Sequence, residues 1–233
     1  ANMVAPKGTI HVDAEQNRIS VVALPFPNLP VVAWVQDMEG NYIHEIPAPH
    51  LRIAFDFSNE VLASKATEGD LSFHISTFFE PRQDTLYHLN AEQGKLMPQF
   101  TINFGNRQIG PHHFYELPSH YYGYVSDIKQ TNQNLFDYDN IRYFIVEKKT
   151  GKGNYCRIYN DYLYDREVTW LSGVNGYYYR FAEPIVLMEE IQKALDEHPE
   201  WSEERRLKLK TLKDSFNEND NNYIILGKLK GRE

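Results

Sequence analysis

The sequence predicts a mainly β protein of short antiparallel strands, with a helical hairpin before the last strand. Aromatic residues make up 14% of the chain, including 16 Tyr and 13 Phe, and such side chains favour half-buried strands. Runs of alternating apolar and polar residues are separated by turns rich in Gly, Asn and Asp. One C-terminal stretch instead carries the apolar spacing of an amphipathic helix.

Residues 9–47 contain four runs that are typical of strands: TIHVDA, ISVVALP, VVAWVQD and YIHEIP. The turn DMEGN at residues 37–41 is typical of a tight hairpin. Four antiparallel strands in about 40 residues match the size of one β-propeller blade. The N-terminal part of the chain therefore predicts a blade-like sheet.

Residues 50–104 predict a second unit with the strands LRIAFDFS, EVLASKA, LSFHISTFF, DTLYHLN and KLMPQFTINF. Pro98 lies inside the last run and predicts an edge strand or a bulge there, because proline lacks the backbone donor. The next segment, NRQIGPHHFYELPS at residues 106–119, predicts a loop. A third unit follows over residues 120–164, with a Gly-rich hairpin turn at residues 149–154.

The pattern changes near the C-terminus. Residues 186–198 show the i, i+3/i+4, i+7 apolar spacing of a helix, which ends at His198-Pro199. Ser202 is a good N-cap for a second helix, and a last strand follows at residues 223–229. We therefore expect one propeller-like domain over residues 1–233, with about four blades and a helical insertion at about 186–216.

Composition excludes some classes of function. The net charge of −8 argues against binding to a nucleic-acid backbone, which needs a basic face. No stretch approaches 18 apolar residues, so we expect no membrane-spanning helix, and the first residues lack the pattern of a signal peptide. The single cysteine, Cys156, cannot form an intrachain disulfide, and we expect it to be a buried structural thiol.

The best metal-like cluster is His112 and His113 with His120. Adjacent residues of a strand point to opposite faces, so the first two share an ion only if they lie in a loop. We expect a polar loop here, and neither a metal nor a cofactor. No G-x-S-x-G, H-E-x-x-H, P-loop or G-x-G-x-x-G motif occurs, so nucleophilic catalysis has no sequence support.

Aromatic clusters are the remaining feature, and they include Tyr121 and Trp170. Since alternate residues of a strand face opposite sides, about half of these side chains should be core. The other half could stack on a sugar or a peptide. Both readings stay open at the level of the sequence.

Three segments carry a resemblance to a known family. DTLYHLNAEQGKLMPQFTINFG at residues 84–105 resembles the D-T-[IVL]-Y…G…P-x-[FY]-x-[IVL]-x-F-G segment of the six-bladed β-propeller lipoproteins of Bacteroidales. ENDNNYIILGKLK at residues 218–230 is similar to the closing strand of that family, with Asn222 in place of the usual Pro. YNDYLYD, with Asn160 and Asp161, is similar to an Asn-Asp turn of the same family but lacks the following Gly pair.

The resemblance covers roughly residues 50–230. It implies a cell-envelope protein of the periplasm, outer membrane or cell surface, and it is compatible with a lipid anchor on a longer precursor. A six-bladed ring needs on the order of 300 residues, so we expect that N-terminal blades have been lost, that the ring is incomplete, or that the number of blades differs. An incomplete ring exposes sheet edges, which invite self-association.

The sequence therefore predicts a non-enzymatic module that binds a protein, peptide or glycan. A carbohydrate-active or other hydrolytic enzyme is the alternative, and it requires a pocket with two carboxylates, or with a carboxylate and a His, of perturbed pKa. The candidate binding residues are His112, His113, His120, Tyr121, Asn160, Asp161 and Trp170.

Overall fold

The computed structural model describes residues 7–56, 58–64, 71–132, 135–160, 166–167, 172–174 and 177–228. These residues form two compact units, one within residues 7–156 and the other within residues 157–228. The fold is mainly antiparallel β, with two helices before the last described strand, and this part of the sequence prediction is confirmed.

The first unit contains twelve described strands. They are β1 Gly8–Asp13, β2 Arg18–Ala23, β3 Ala33–Gln36, β4 Tyr42–Ile46, β5 Glu60–Ser64, β6 Leu71–Ser76, β7 Thr85–Asn90, β8 Lys95–Thr101, β9 His112–Glu116, β10 His120–Asn132, β11 Leu135–Glu147 and β12 Gly153–Tyr155. They form three four-stranded antiparallel sheets, β1–β4, β5–β8 and β9–β12, which we call the first, second and third sheets. In each sheet, strands that follow one another along the chain are neighbours.

The first and second sheets pack face to face through an apolar core. Val22 and Ala33 of the first sheet belong to the same buried cluster as Phe73, Ile75 and Leu89 of the second sheet. In β6, these apolar residues alternate with polar ones, as expected for a strand whose two faces differ. One face of the second sheet is therefore covered by the first sheet.

The other face of the second sheet is covered by the third sheet. Leu86 and Phe100 pack with Phe114 and Phe144 in a second buried cluster. All six residues of β6 are buried as a result, including the polar ones that alternate with the core residues. The second sheet is thus the middle layer of this unit.

The described strands of the second unit are β13 Tyr159–Asn160, β14 Arg166–Glu167, β15 Ser172–Val174, β16 Tyr177–Ala182 and β17 Tyr223–Lys228. The helices α1 Pro184–Glu197 and α2 Glu203–Asp214 lie between β16 and β17 in the chain, as the sequence predicts. The Ser202 side chain caps α2 by accepting a hydrogen bond from the Arg205 backbone N–H. Ile191 of α1, Leu209 of α2 and Ile225 of β17 share one apolar cluster.

Two local predictions are wrong. The run LRIAFDFS is not a strand, because a 3-10 turn occupies Pro49–Leu51 and irregular backbone follows over residues 52–56. Its alternating apolar residues Leu51 and Ile53 are buried in the core between the first and second sheets. The predicted loop at residues 106–119 contains β9, which pairs with β10 and has a buried His112 that conceals the strand pattern.

Two other local predictions are confirmed. Pro98 lies on β8, at the edge of the second sheet, beside a register shift between Leu86 and Tyr87. The predicted hairpin turn joins β11 and β12, and Gly151 takes the positive φ of 66° that this turn requires.

The layered core leads to a prediction for two isoleucines on strands of the same unit. Ile75 is 1% exposed in the middle layer, whereas Ile10 on β1 is 65% exposed. We expect Ile75→Ala to lower the free energy of unfolding by about 2–5 kcal/mol, because it leaves a cavity. Ile10→Ala should change it by about 0.5 kcal/mol or less. Urea denaturation of both variants checks this, and equal effects would contradict the layered core.

Candidate functional site

The interface between the second and third sheets opens into a cleft of about 930 Å³. One wall is β8 with the segment that follows it, from Phe100 to Gln108, and the other wall comes from β10, β11 and β12. The volume lies within the range of pockets that hold small organic ligands. The cleft is therefore the candidate functional site among the described residues.

The floor of the cleft is aromatic and aliphatic. Phe144 on β11 pairs directly with Tyr155 on β12, so their side chains lie on the same face of the third sheet. The Phe100 ring centroid lies 6.3 Å from that of Phe144, and Phe104 lines the cleft from the segment after β8. Tyr155 is 63% exposed, so a large aromatic surface is accessible to a ligand.

Gly123 on β10 makes room for this floor. A Cβ atom at this position would lie 2.7 Å from the Phe144 ring and 2.0 Å from the His113 carbonyl oxygen. Because glycine has no Cβ atom, the Phe144 ring can lie directly against the β10 backbone at Gly123. The aromatic floor depends on a residue that does not itself line the cleft.

The polar rim of the cleft includes two cations and one carboxylate among its described residues: Arg107, Arg142 and Asp127. An Nη2 atom of Arg142 lies 3.8 Å from Asp127 Oδ1, and both side chains are about half exposed. Asn140 Nδ2 donates to Asp127 Oδ2 at 3.0 Å. The register of β10 and β11 shifts here, with Asn140 at φ 49°, which is the kind of bulge that redirects side chains beside binding sites.

Buried polar side chains lie where the second sheet meets the third, and we call this group the polar seam; its members are Ser72, His74, Ser76, His88, His113 and Glu116. His74 Nε2 accepts a hydrogen bond from the Phe114 backbone N–H at 3.4 Å, so its proton is on Nδ1. That Nδ1 has no hydrogen-bond partner among the described residues. Ser76 Oγ and His113 Nε2 are 3.2 Å apart, and the His113 ring stacks on Tyr124.

Burial keeps two histidines of the seam, His74 and His113, neutral. It lowers the pKa of His113 to about 4, and the nearby His112 contributes in the same direction. Burial, His113 and His112 together lower the pKa of His74 well below its usual value. An unpaired imidazolium in this interior would have a large desolvation cost, so these rings act as uncharged packing and hydrogen-bonding groups near neutral pH.

Glu116 at the end of β9 forms an ion pair with Lys148 and a hydrogen bond with the seam residue His88. Its Oε2 accepts from His88 Nε2 at 2.6 Å, and its Oε1 accepts from Lys148 Nζ at 2.6 Å. Burial alone would raise the pKa of Glu116, but these two hydrogen bonds and charges outweigh it and lower the pKa to about 2. The pair links the second sheet to the third, because His88 lies on β7.

Asp84, immediately before β7, is a second buried carboxyl group. Its Oδ2 accepts from the Ile75 backbone N–H at 2.7 Å, and burial raises the pKa of Asp84 to about 7. It does not line the cleft. Its contacts support a structural role in fixing the segment between β6 and β7.

The residues predicted to bind a ligand lie at different positions relative to the cleft and the polar seam. None of the four whose side chains are described lines the cleft, but the His112 ring centroid lies 5.2 Å from that of Phe104 and Tyr121 stacks on Phe100 at 4.5 Å, so both pack against cleft residues. His113 belongs to the polar seam, and His120 pairs with Ser119. Asp161, Trp170 and the side chain of Asn160 lie outside the described residues.

The cleft residues themselves were missed by sequence reasoning. The sequence pattern predicts a strand at Phe104, a loop at Arg107 and an ordinary strand position at Arg142. A usable signal was the alternation in IRYFIVE, in which Arg142, Phe144 and Val146 share one face.

The described part of the chain supports no metal centre, and the described lining of the cleft supports no catalytic pair. No group of three His, Cys, Asp or Glu side chains there is placed to hold a metal ion. The described cleft lining has a single carboxylate, Asp127, and no His, whereas the hydrolase alternative requires a pair. Burial raises the pKa of the Cys156 thiol, which disfavours the thiolate.

Comparison with family models, with curated proteins and with solved structures found no match to this chain. The family resemblance therefore rests on the sequence segments alone, and the site rests on its geometry. Neither α1 nor α2 is long and apolar enough to cross a bilayer, and this holds for every helix in the described ranges.

The contacts of Glu116 with Lys148 and His88 lead to a prediction with a matched control. We expect Glu116→Gln to lower the free energy of unfolding at pH 7 by about 2 kcal/mol, because His88 and Lys148 lose a buried partner. Glu60→Gln removes the exposed partner of Lys7 and should cost less than about 1 kcal/mol. Urea denaturation of both variants provides the measurement.

The same variant has a signature in its pH dependence. The folded-state pKa of Glu116 is below its usual value of 4.5, so its stabilising effect is complete above pH 4.5 and declines as the pH falls towards 2. The stability difference between the native chain and Glu116→Gln should shrink over that interval. A difference that stays constant from pH 7 to pH 3 would contradict the buried ion pair.

Proposed function

We propose that this chain is a non-enzymatic binding module built from propeller-like blades, and that the cleft between the second and third sheets is its ligand site. The observation that carries the proposal is an accessible aromatic floor beneath a polar rim, in a cleft whose described lining holds no pair of catalytic groups. Apolar pockets with a few polar groups at their edge are typical of binding sites.

The order of the sheets supports the propeller-like part of the proposal. Each of the three sheets is a meander of four consecutive strands, and each packs face to face on the next. The first strands of successive sheets also contact each other, β1 with β5 and β5 with β9. First strands that gather on one side are expected when blades are arranged about a common axis.

The chemistry of the cleft supports a peptide or glycan ligand. Aromatic side chains provide flat apolar surface with little loss of conformational entropy, and both sugars and apolar side chains stack on such surfaces. Tyr155 has the most exposed ring of the floor. Its direct neighbour on the adjacent strand is Phe144. On the family resemblance, we place the protein at the cell envelope, where such ligands are exposed.

The role of the floor can be tested by truncating one ring. We expect Tyr155→Ala to weaken binding of the ligand about tenfold, because stacking on an exposed ring contributes about 0.5–1.5 kcal/mol beyond the burial of its area. Glycan and peptide arrays identify the ligand with the native chain, and isothermal titration calorimetry measures its affinity.

Tyr42→Ala is the matched control. Tyr42 is 38% exposed on β4 of the first sheet and does not line the cleft. Its variant should bind the array ligand like the native chain. Unchanged binding by Tyr155→Ala would remove the cleft as the ligand site, and equal loss in both variants would point to a non-specific surface.

A further inference from the structure

The cleft carries a local charge opposite to that of the chain. The protein has a net charge of −8, yet the charged residues of the described cleft lining are Arg107, Arg142 and Asp127, which sum to +1. A cleft with positive potential attracts an anionic ligand, even when the protein as a whole is acidic. The charge of the cleft therefore favours a ligand with an anionic group.

We propose that the cleft binds a ligand with a single carboxylate next to an aromatic or aliphatic body, with the carboxylate held by Arg142 and Arg107. This inference rests on the proposed function and specifies its ligand class. The apolar body lies on the floor formed by Phe104, Phe144 and Tyr155. The arginine fork then meets the carboxylate at the rim, where it forms charge-assisted hydrogen bonds.

Arg142 has donors to offer. Its contact with Asp127 is 3.8 Å long, which exceeds hydrogen-bond distance, and its side chain is 48% exposed. The second oxygen of Asp127 is already engaged by Asn140. A carboxylate ligand would satisfy guanidinium donors that the described residues leave to solvent.

Arg107 complements this position from the other wall. Arg107 closes a short turn, because its backbone N–H donates to the Phe104 carbonyl oxygen at 3.1 Å. This hydrogen bond fixes Arg107 close to the apolar floor. Its guanidinium has no side-chain partner among the described residues. Two arginines on opposite walls thus flank one cleft.

The charge balance favours a carboxylate over a phosphate. Two arginines and one aspartate leave about one positive charge, which a carboxylate neutralises. A phosphate monoester carries about −1.5 to −2 charges near pH 7 and would leave an excess beside Asp127. A free peptide C-terminus and a small aromatic acid share the carboxylate chemistry, and the experiment separates these two sources.

The experiment compares each acid with its amide. The peptide probes are N-acetylated pentapeptides that end in Phe, Leu or Tyr, with a free C-terminal carboxylate or a C-terminal amide. The small-molecule probes are 3-phenylpropionate and 3-phenylpropanamide. Binding is measured by titration calorimetry at low and at high salt. We expect the acids to bind at least tenfold more tightly than the amides, because hydrogen bonds to charged groups contribute more than neutral ones.

Arginine variants locate the effect. Arg142→Gln and Arg107→Gln should each reduce binding of the acids about tenfold and leave binding of the amides unchanged. Arg18→Gln is the matched control, since Arg18 lies on β2 and does not line the cleft. Circular dichroism confirms that each variant is folded, and the use of two variants protects the test against failure of one.

The outcomes separate the two proposals. Preference for acids that disappears in the Arg142 and Arg107 variants supports the inference, and the tighter-binding probe set identifies the source of the carboxylate. Equal affinity of acids and amides, with both lost in Tyr155→Ala, overturns the carboxylate inference and leaves the binding site in place. Binding that no cleft variant changes, or no binding by any probe, overturns the carboxylate inference, and unchanged array binding in Tyr155→Ala would separately remove the site.

Discussion

The structure of the first unit depends on the burial of a polar sheet face. In β6, Ser72, His74 and Ser76 alternate with core residues, and the third sheet covers them instead of water. Burial of polar groups is costly unless they find partners, and the covering sheet supplies several of them. His113 faces Ser76, the Phe114 backbone N–H donates to His74 Nε2, and Glu116 accepts from His88, whereas Ser72 Oγ and His74 Nδ1 have no partner among the described residues. The two sheets are therefore held in one register by directional bonds, whereas apolar contacts alone would tolerate sliding.

The cleft follows from the same packing. Where the polar seam ends, the contact between the second and third sheets becomes aromatic, through Phe100, Phe114 and Phe144. Beside these rings the segment after β8 forms one wall of the cleft, and the floor between the walls is open to a ligand. Fixed sheets on both sides hold the cleft walls in place, and a preformed site loses less conformational entropy when a ligand binds. The seam thus acts as a support, and the exposed rings and arginines interact with the ligand.

Sequence patterns predict the helices, strands and turns whose conformation is set by neighbouring residues in the chain. The strands of the first sheet, the hairpin at Gly151 and both helices follow from alternation, turn chemistry and helical spacing. β9 was missed because a buried His112 reads as polar, and only the covering sheet makes that position internal. The strand prediction for LRIAFDFS is wrong for the opposite reason. Its alternating apolar residues pack into the core between two sheets, although the segment does not form a strand. The cleft could not be predicted, because it joins residues about 40 positions apart, such as Phe104 and Arg142, through sheet packing that no local pattern encodes.

The second sheet is the middle layer of the first unit, buried on both faces, and hydrogen exchange tests this most directly. The amides of β6 should exchange more slowly than those of the first-sheet edge strand β1, because they open only when the layers separate. Mass spectrometry of peptides that cover residues 71–76 and 8–13 resolves the two strands in one experiment on the whole chain. Protection of β6 that approaches the global free energy of unfolding is the predicted result. Exchange of β6 as fast as that of β1 would contradict a middle layer covered on both sides.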